Sequence, residues 1–165
     1  MSKAPTRYPQ RQHGFTLVEL ILVLVLMGIL GLGVRALFFS REGYAGFLAK
    51  DQLIAAALLA QEHALGVSAL SNAVELVVGV DGDEWFFRVT KSGSNVFEAR
   101  QEHSGGTLAV DGASIGDGSS HTFAFDSRAS LGSGSNHEVR FNSGRNYYVC
   151  LSAAGYAWER TGACP

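Results

Sequence analysis

Glu19 is the one carboxylate in an otherwise apolar run: from Phe15 to Val34 only Thr16 and Glu19 are polar. A helix of about 20 residues is what the roughly 30 Å hydrocarbon core of a bilayer requires. A carboxylate inside such a helix costs about 2.5–3.5 kcal/mol on insertion scales, so Glu19 calls for a cationic partner and a role. Cys150 and Cys164 are a second feature with reactive chemistry. In an exported domain an even cysteine count reads as a disulfide, and a loop of about 15 residues adds roughly 3 kcal/mol by the chain-entropy model. The alternatives are a metal pair, which lacks a C-x-x-C and nearby ligands, and two free thiols.

Other groupings have weaker claims. Gly112-Ala113-Ser114-Ile115-Gly116 fits the G-x-S-x-G elbow. That motif needs a strand before it and a helix after it on a large doubly wound sheet, whereas turn-forming Asp117-Gly118-Ser119-Ser120 follows here. His63, His103, His121 and His137 have no metal-ligand spacing and read as surface or boundary residues. Asp81, Asp83 and Glu84 lack the spaced oxygens of a calcium loop and read as a solvated turn. The expectation is therefore no catalytic residue, no metal and no cofactor.

Lys3, Arg7 and Arg11 precede the apolar run with no acid among them, which keeps the short tail cytoplasmic by the positive-inside rule and puts the bulk of the chain outside. A secretory signal peptide also has a basic start and an apolar core. Against it stand the length of the core, the acid inside it and the poor cleavage candidate Val34-Arg35-Ala36. A plain single-span anchor explains length and orientation but leaves Glu19 without a role.

Gly14-Phe15-Thr16-Leu17-Val18-Glu19, after a basic leader and at the head of an apolar run, resembles the cleavage and methylation signature of type IV pilins and type II secretion pseudopilins. The resemblance implies that a prepilin peptidase cuts between Gly14 and Phe15 and methylates the new amine of Phe15. It further implies that Glu19 is the assembly carboxylate, drawn to the Phe15 ammonium of a neighbouring subunit. Both charges are costly alone in apolar surroundings, so each answers the other. Pairing within one subunit, or a protonated Glu19, are the alternatives. The implied partners are the peptidase, other major and minor pilin subunits, the inner-membrane assembly platform and the membrane itself.

Past Val34 the helix is expected to run on to about Leu65, with a bend or break between Ser40 and Gly46 and a stop at Gly66. Phe47, Ile54, Leu58 and Leu65, flanked by Leu48, Ala55 and Leu59, form its apolar stripe. Gly28, Gly31 and Gly33 weaken its first half by about 1 kcal/mol each, and no proline lies near Ala36. The period then changes to two. Ala73–Val80 and Glu84–Thr90 read as strands around an Asp81-Gly82 hairpin. Further strands are expected at Asn95–Arg100, Thr107–Val110, His121–Phe125, His137–Phe141, Tyr147–Leu151 and Tyr156–Glu159, separated by Gly- and Ser-rich loops that include 112–120. The fold class is α+β, and the resemblance implies the pilin architecture of a long N-terminal helix packed on a small antiparallel sheet. The expected parts are a leader (1–14), a membrane or filament-core helix (15–35), an amphipathic continuation (36–66) and a β-rich head (67–165).

The whole chain carries a net charge of −2, and loss of the three leader cations leaves 10 Lys and Arg against 15 acids, a net of −5. That argues against nucleic-acid binding, which rests on clustered cations. Arg128, Arg140, Arg145 and Arg160 are the only candidates for it, and Asp126, Glu138 and Glu159 offset them. Phe38-Phe39-Ser40, Ala49–Ile54, Leu58–Gln61, Phe123–Ser127, Tyr148–Leu151 and Gly155-Tyr156 resemble minor pilins of the mannose-sensitive haemagglutinin (MSHA) type, minor pilin C in particular. They also resemble the pseudopilin H and FimT-like group. This implies a minor subunit that enters or primes a pilus, with a secretion pseudopilin, or a tip subunit binding DNA or a surface ligand, as the alternatives.

Overall fold

The computed structural model describes residues 16–38, 41–66 and 74–165, with side chains described for 16–29, 43–66 and 74–165. It divides into two compact units, one containing the first helix and the other everything from the second helix onward.

The first helix, α1, spans Leu17–Phe38 and passes through Gly28, Gly31 and Gly33 without interruption. Thr16 starts it. Its Oγ1 accepts the Glu19 N–H at 3.3 Å and its carbonyl accepts the Leu20 N–H at 3.2 Å. Thr16 is thus the N-cap and Glu19 the third helical residue, the spacing of a capping box, and an acid in the first turn also suits the helix dipole. The large apolar side chains described from Leu17 to Ile29 are all exposed. Among the described residues no helix is long and apolar enough to cross a membrane, and side chains of α1 are described only as far as Ile29. The membrane expectation for α1 therefore rests on its sequence.

The second helix, α2, spans Arg41–Leu65 and ends at Gly66, as the sequence led one to expect. These two stretches are the described parts of the expected helix, and residues 39 and 40 between them lie outside the described residues. The expected bend is absent from its described portion, because Arg41 to Gly46 are helical. The stripe is a correction. The buried face of α2 is Ala45, Ala49, Leu53, Ala56, Ala57, Ala60 and Ala64, while Phe47, Leu58 and Leu65 are exposed and Ile54 is half-buried. Both sets have helical periodicity. Small side chains won because they let the helix backbone approach the sheets closely. Gly46 marks the closest approach: its N–H donates to Ser143 Oγ at 3.0 Å, and a Cβ there would lie 2.6 Å from both that oxygen and the Tyr147 ring.

Among the described residues nine strands follow: β1 Val74–Asp81, β2 Glu84–Lys91, β3 Ser94–Glu102, β4 Thr107–Val110, β5 Ala113–Ile115, β6 Ser120–Phe125, β7 His137–Asn142, β8 Asn146–Leu151 and β9 Ala157–Arg160. The expected single sheet is two, one of order β3-β2-β1-β6 and one of order β5-β4-β7-β8-β9, all pairings antiparallel. β5 was expected to be loop. Its three residues pair with β4 across a tight turn in which Asp111 and Gly112 both take positive φ. The β1–β2 turn is Gly82-Asp83, with Asp81 paired to Glu84. Val74, Leu76, Val78 and Val80 fill one face of β1, and Trp85, Phe87 and Val89 one face of β2. Trp85 and Phe87 meet Phe141 of the second sheet at ring separations of 5.1 and 5.7 Å. The alanine face of α2 joins the same core, so the fold is α+β with a helix packed on antiparallel sheets.

Candidate functional site

Gly14 and Phe15, the expected cleavage and methylation positions, lie outside the described residues. Glu19 lies inside them, exposed at the first turn of α1. The capping geometry of Thr16 holds the turn, leaving the Glu19 carboxylate projecting from an apolar surface. Sequence reasoning found the charge and missed the cap, although the T-x-x-E spacing was legible.

At the other end of the chain Cys150 and Cys164 are joined in a disulfide. Cys150 is buried on β8, and the Cys164 N–H donates to Glu138 Oε2 at 2.9 Å. One strand further along, Glu159 on β9 takes the ammonium of Lys50 at 2.6 Å, with Asp51 at 3.3 Å. Lys50 is only 2% exposed, and its ammonium also lies 4.4 Å from the centre of the Phe47 ring. Burial pulls the Lys50 pKa down, but its hydrogen bonds to Glu159 and Asp51 prevail and hold it above its ordinary value. The C-terminal segment is thus fixed covalently to β8 and ionically to α2.

The histidines do not behave alike. His103 is buried, stacked on Trp85 at 4.7 Å, with both ring nitrogens and the Trp85 Nε1 lacking partners among the described residues. Burial lowers its pKa, against a smaller opposing effect of Asp83. The expectation of a surface or boundary histidine fails here, because a lone His carries no sequence signal of its burial.

Ser133, His137 and Asp111 form a relay that sequence reasoning did not find, since its members are scattered across two loops and a strand. Ser133 Oγ lies 2.8 Å from His137 Nε2, and His137 Nδ1 lies 2.6 Å from Asp111 Oδ2. Asp111 Oδ1 accepts the Glu138 N–H at 2.8 Å. Burial works to raise the Asp111 pKa, but the bonds from His137 and Glu138 bring it below its ordinary value. His121 lies against His137 at 6.2 Å, its own pKa lowered by burial and then by His137. The order of groups is that of a serine hydrolase. Two N–H groups beside Ser133 are already used, Gly134 N–H by Leu131 O and Ser135 N–H by Ser133 Oγ itself. The relay acts as a clamp that pins the β6–β7 loop to the β4–β5 turn.

Ser114 of the G-x-S-x-G segment sits on β5, with a turn and then a strand after it rather than a helix. Asp81 and Glu84 are bound by Arg100 at 2.9 and 3.1 Å instead of facing an empty site. Arg100 also holds Glu98 jointly with Arg88, bringing the Glu98 pKa down to about 2. Among the described residues there is no group of His, Cys, Asp and Glu arranged to hold a metal ion.

The four arginines weighed for nucleic acid separate. Arg128 is on the β6–β7 loop, and Arg145 is in the β7–β8 turn with its guanidinium 5.7 Å from the Tyr147 ring. Arg140 and Arg160 come together, each directly opposite Tyr148 in the ladder.

Residues 9–34 match the family model described as the prokaryotic N-terminal methylation motif. No curated protein matches the sequence. A solved structure, the type IV minor pilin FimU of Pseudomonas aeruginosa strain PAO1, is similar with a TM-score of 0.49 and 14% identity, covering 68% of this chain and 90% of that one. Across residues 9–34, then, the chain carries the prokaryotic N-terminal methylation motif.

Proposed function

We propose that this protein is a minor type IV pilin, made as a prepilin and built into a filament through its N-terminal helix. The match of residues 9–34 to the methylation motif carries the reading. Prepilin peptidase cuts between Gly14 and Phe15 and methylates Phe15, and the Glu19 carboxylate pairs with the Phe15 ammonium of a neighbouring subunit. Before assembly the chain sits in the bacterial inner membrane through residues 15–35, with its N-terminus cytoplasmic and its head in the periplasm. It then passes to the fibre through contact with other pilins and the assembly platform. It is a structural subunit and a substrate of the peptidase, not an enzyme. Its segments around Phe38, Leu58, Phe123 and Tyr148 favour the MSHA type, minor pilin C. A second reading, a minor pseudopilin of a type II secretion system, shares the same N-terminal chemistry, and the C-terminal disulfide loop favours the pilus.

Intact mass of the protein recovered from membranes containing a prepilin peptidase tests this. The expected species starts at Phe15, carries one added methyl, and is two hydrogens lighter than its reduced form. A full-length chain, or one starting near Ala36, would sink the proposal.

A further inference from the structure

The outer face of the five-stranded sheet carries an unusual row. Strand neighbours directly opposite each other point to the same side of a sheet, so Ser114, Ala109, Arg140, Tyr148 and Arg160 line up across β5, β4, β7, β8 and β9. Buried Val139, Phe141, Val149 and Leu151 occupy the alternate positions and face the core; in the row itself Ser114 and Arg160 are exposed, Arg140 and Tyr148 half-buried, and Ala109 buried. Tyr148 is flanked on both sides by a guanidinium, and the two arginines are two strand spacings apart, about 10 Å at the backbone. Elsewhere on the head arginines on strands are spent in ion pairs, as Arg88 and Arg100 are with Glu98, Asp81 and Glu84. Neither Arg140 nor Arg160 has an ion pair among the described residues. Two residues along the same face the Asn142 amide donates to the Asn146 carbonyl oxygen at 2.9 Å, leaving further donors and acceptors on that side chain pair.

We propose that this row is a binding site for an acidic polysaccharide of low charge density, one with carboxylate-bearing sugars separated by neutral ones. The Tyr148 ring supplies an apolar platform for a sugar ring. Arg140 and Arg160 take a carboxylate in the planar, two-pronged geometry of a guanidinium, and Asn142, Asn146 and Ser114 meet hydroxyls. Nucleic acid fits less well. Its affinity comes from many phosphate contacts, whereas this face presents two cations on a chain whose cleaved form is net negative. The inference goes beyond the pilin reading and does not depend on processing, so each can fail without the other.

The full-length chain in detergent micelles is titrated with hyaluronan oligosaccharides by calorimetry, with neutral dextran oligomers and oligo(dT) as comparators. Hyaluronan is expected to bind with an affinity that falls as salt rises, while dextran and oligo(dT) give no heat. Arg140→Ala and Arg160→Ala are each expected to weaken binding by about tenfold or more, and Tyr148→Leu likewise. Arg128→Ala, on the exposed loop, leaves it unchanged. Arg160 is exposed, so Arg160→Ala keeps the test readable if Tyr148→Leu or Arg140→Ala loosens the sheet. Absence of hyaluronan binding, tighter binding to oligo(dT), or equal losses from Arg128→Ala and Arg140→Ala would each overturn the proposal.

Discussion

At Glu19 two roles converge on one side chain: an acid placed to favour the start of α1, and a charge available to an ammonium. Glu19→Gln separates them, because glutamine still suits a capping box but carries no charge. If the charge drives assembly, Glu19→Gln and Glu19→Ala both abolish sheared filaments that contain the protein, while cleavage at Gly14–Phe15 continues on immunoblots. Filaments restored by Gln alone would reduce Glu19 to a helix-start residue. His103 is the other residue whose environment decides its chemistry. Its folded pKa lies below the ordinary value of 6.5, so below that pH the unfolded chain binds the extra proton first. Stability is therefore full above about pH 6.5 and falls as pH drops toward the folded pKa. His121 adds a loss of the same sign. The carboxylates Glu98, Asp111 and Asp126, all held below their ordinary values, lose their contribution only at lower pH. His103→Phe is expected to flatten the urea-midpoint profile on the acid side of pH 6.5. Because it also removes two unpartnered buried nitrogens, it should raise stability at pH 7 by about 1 kcal/mol or more. An unchanged acid limb in this variant would place the titration elsewhere.

On the scale of elements, α2 shows how a periodic pattern can name the wrong face. Its large apolar residues and its alanines both repeat at helical spacing, and only volume distinguishes them. Buried Ala56→Leu and Ala49→Leu are each expected to cost about 1–3 kcal/mol by overpacking against the sheets, measured as shifts in urea midpoint. Leu58→Ser, by contrast, falls on a residue that is 63% exposed, and should stay within about 0.5 kcal/mol. A reversed order would restore the stripe drawn from sequence. The strands were far more legible, since β1 and β2 alternate cleanly between buried and half-buried positions over most of their length. β5 escaped notice because three residues between glycines carry no alternation, and its pairing depends on the tight turn at Asp111 and Gly112.

For the whole molecule, the C-terminal fastening is the feature with the largest expected energy. The bond closes a separation of 14 residues, and its loss through Cys150→Ser with Cys164→Ser should cost about 3 kcal/mol on the chain-entropy model. The thermal midpoint of the parent chain under reducing agent should match that of the double variant without it. A parent that melts unchanged on full reduction would show that Lys50 and Glu159, with the β8–β9 ladder, suffice to hold the terminus. The sequence by itself determined the N-terminal motif, the length of the apolar run, the isolated charge at Glu19, the candidate cysteine pair and the strands with a clear period of two, because each is a local property of residue type and spacing. Only the tertiary structure decided which face of α2 is buried, that the strands divide into two sheets, and that His103 is buried without a partner. It alone brought Arg140 and Arg160 to either side of Tyr148, and Asp111 to His137. Those outcomes depend on side-chain volume and on strand register between segments far apart in the chain, and neither leaves a periodic mark on the residues concerned.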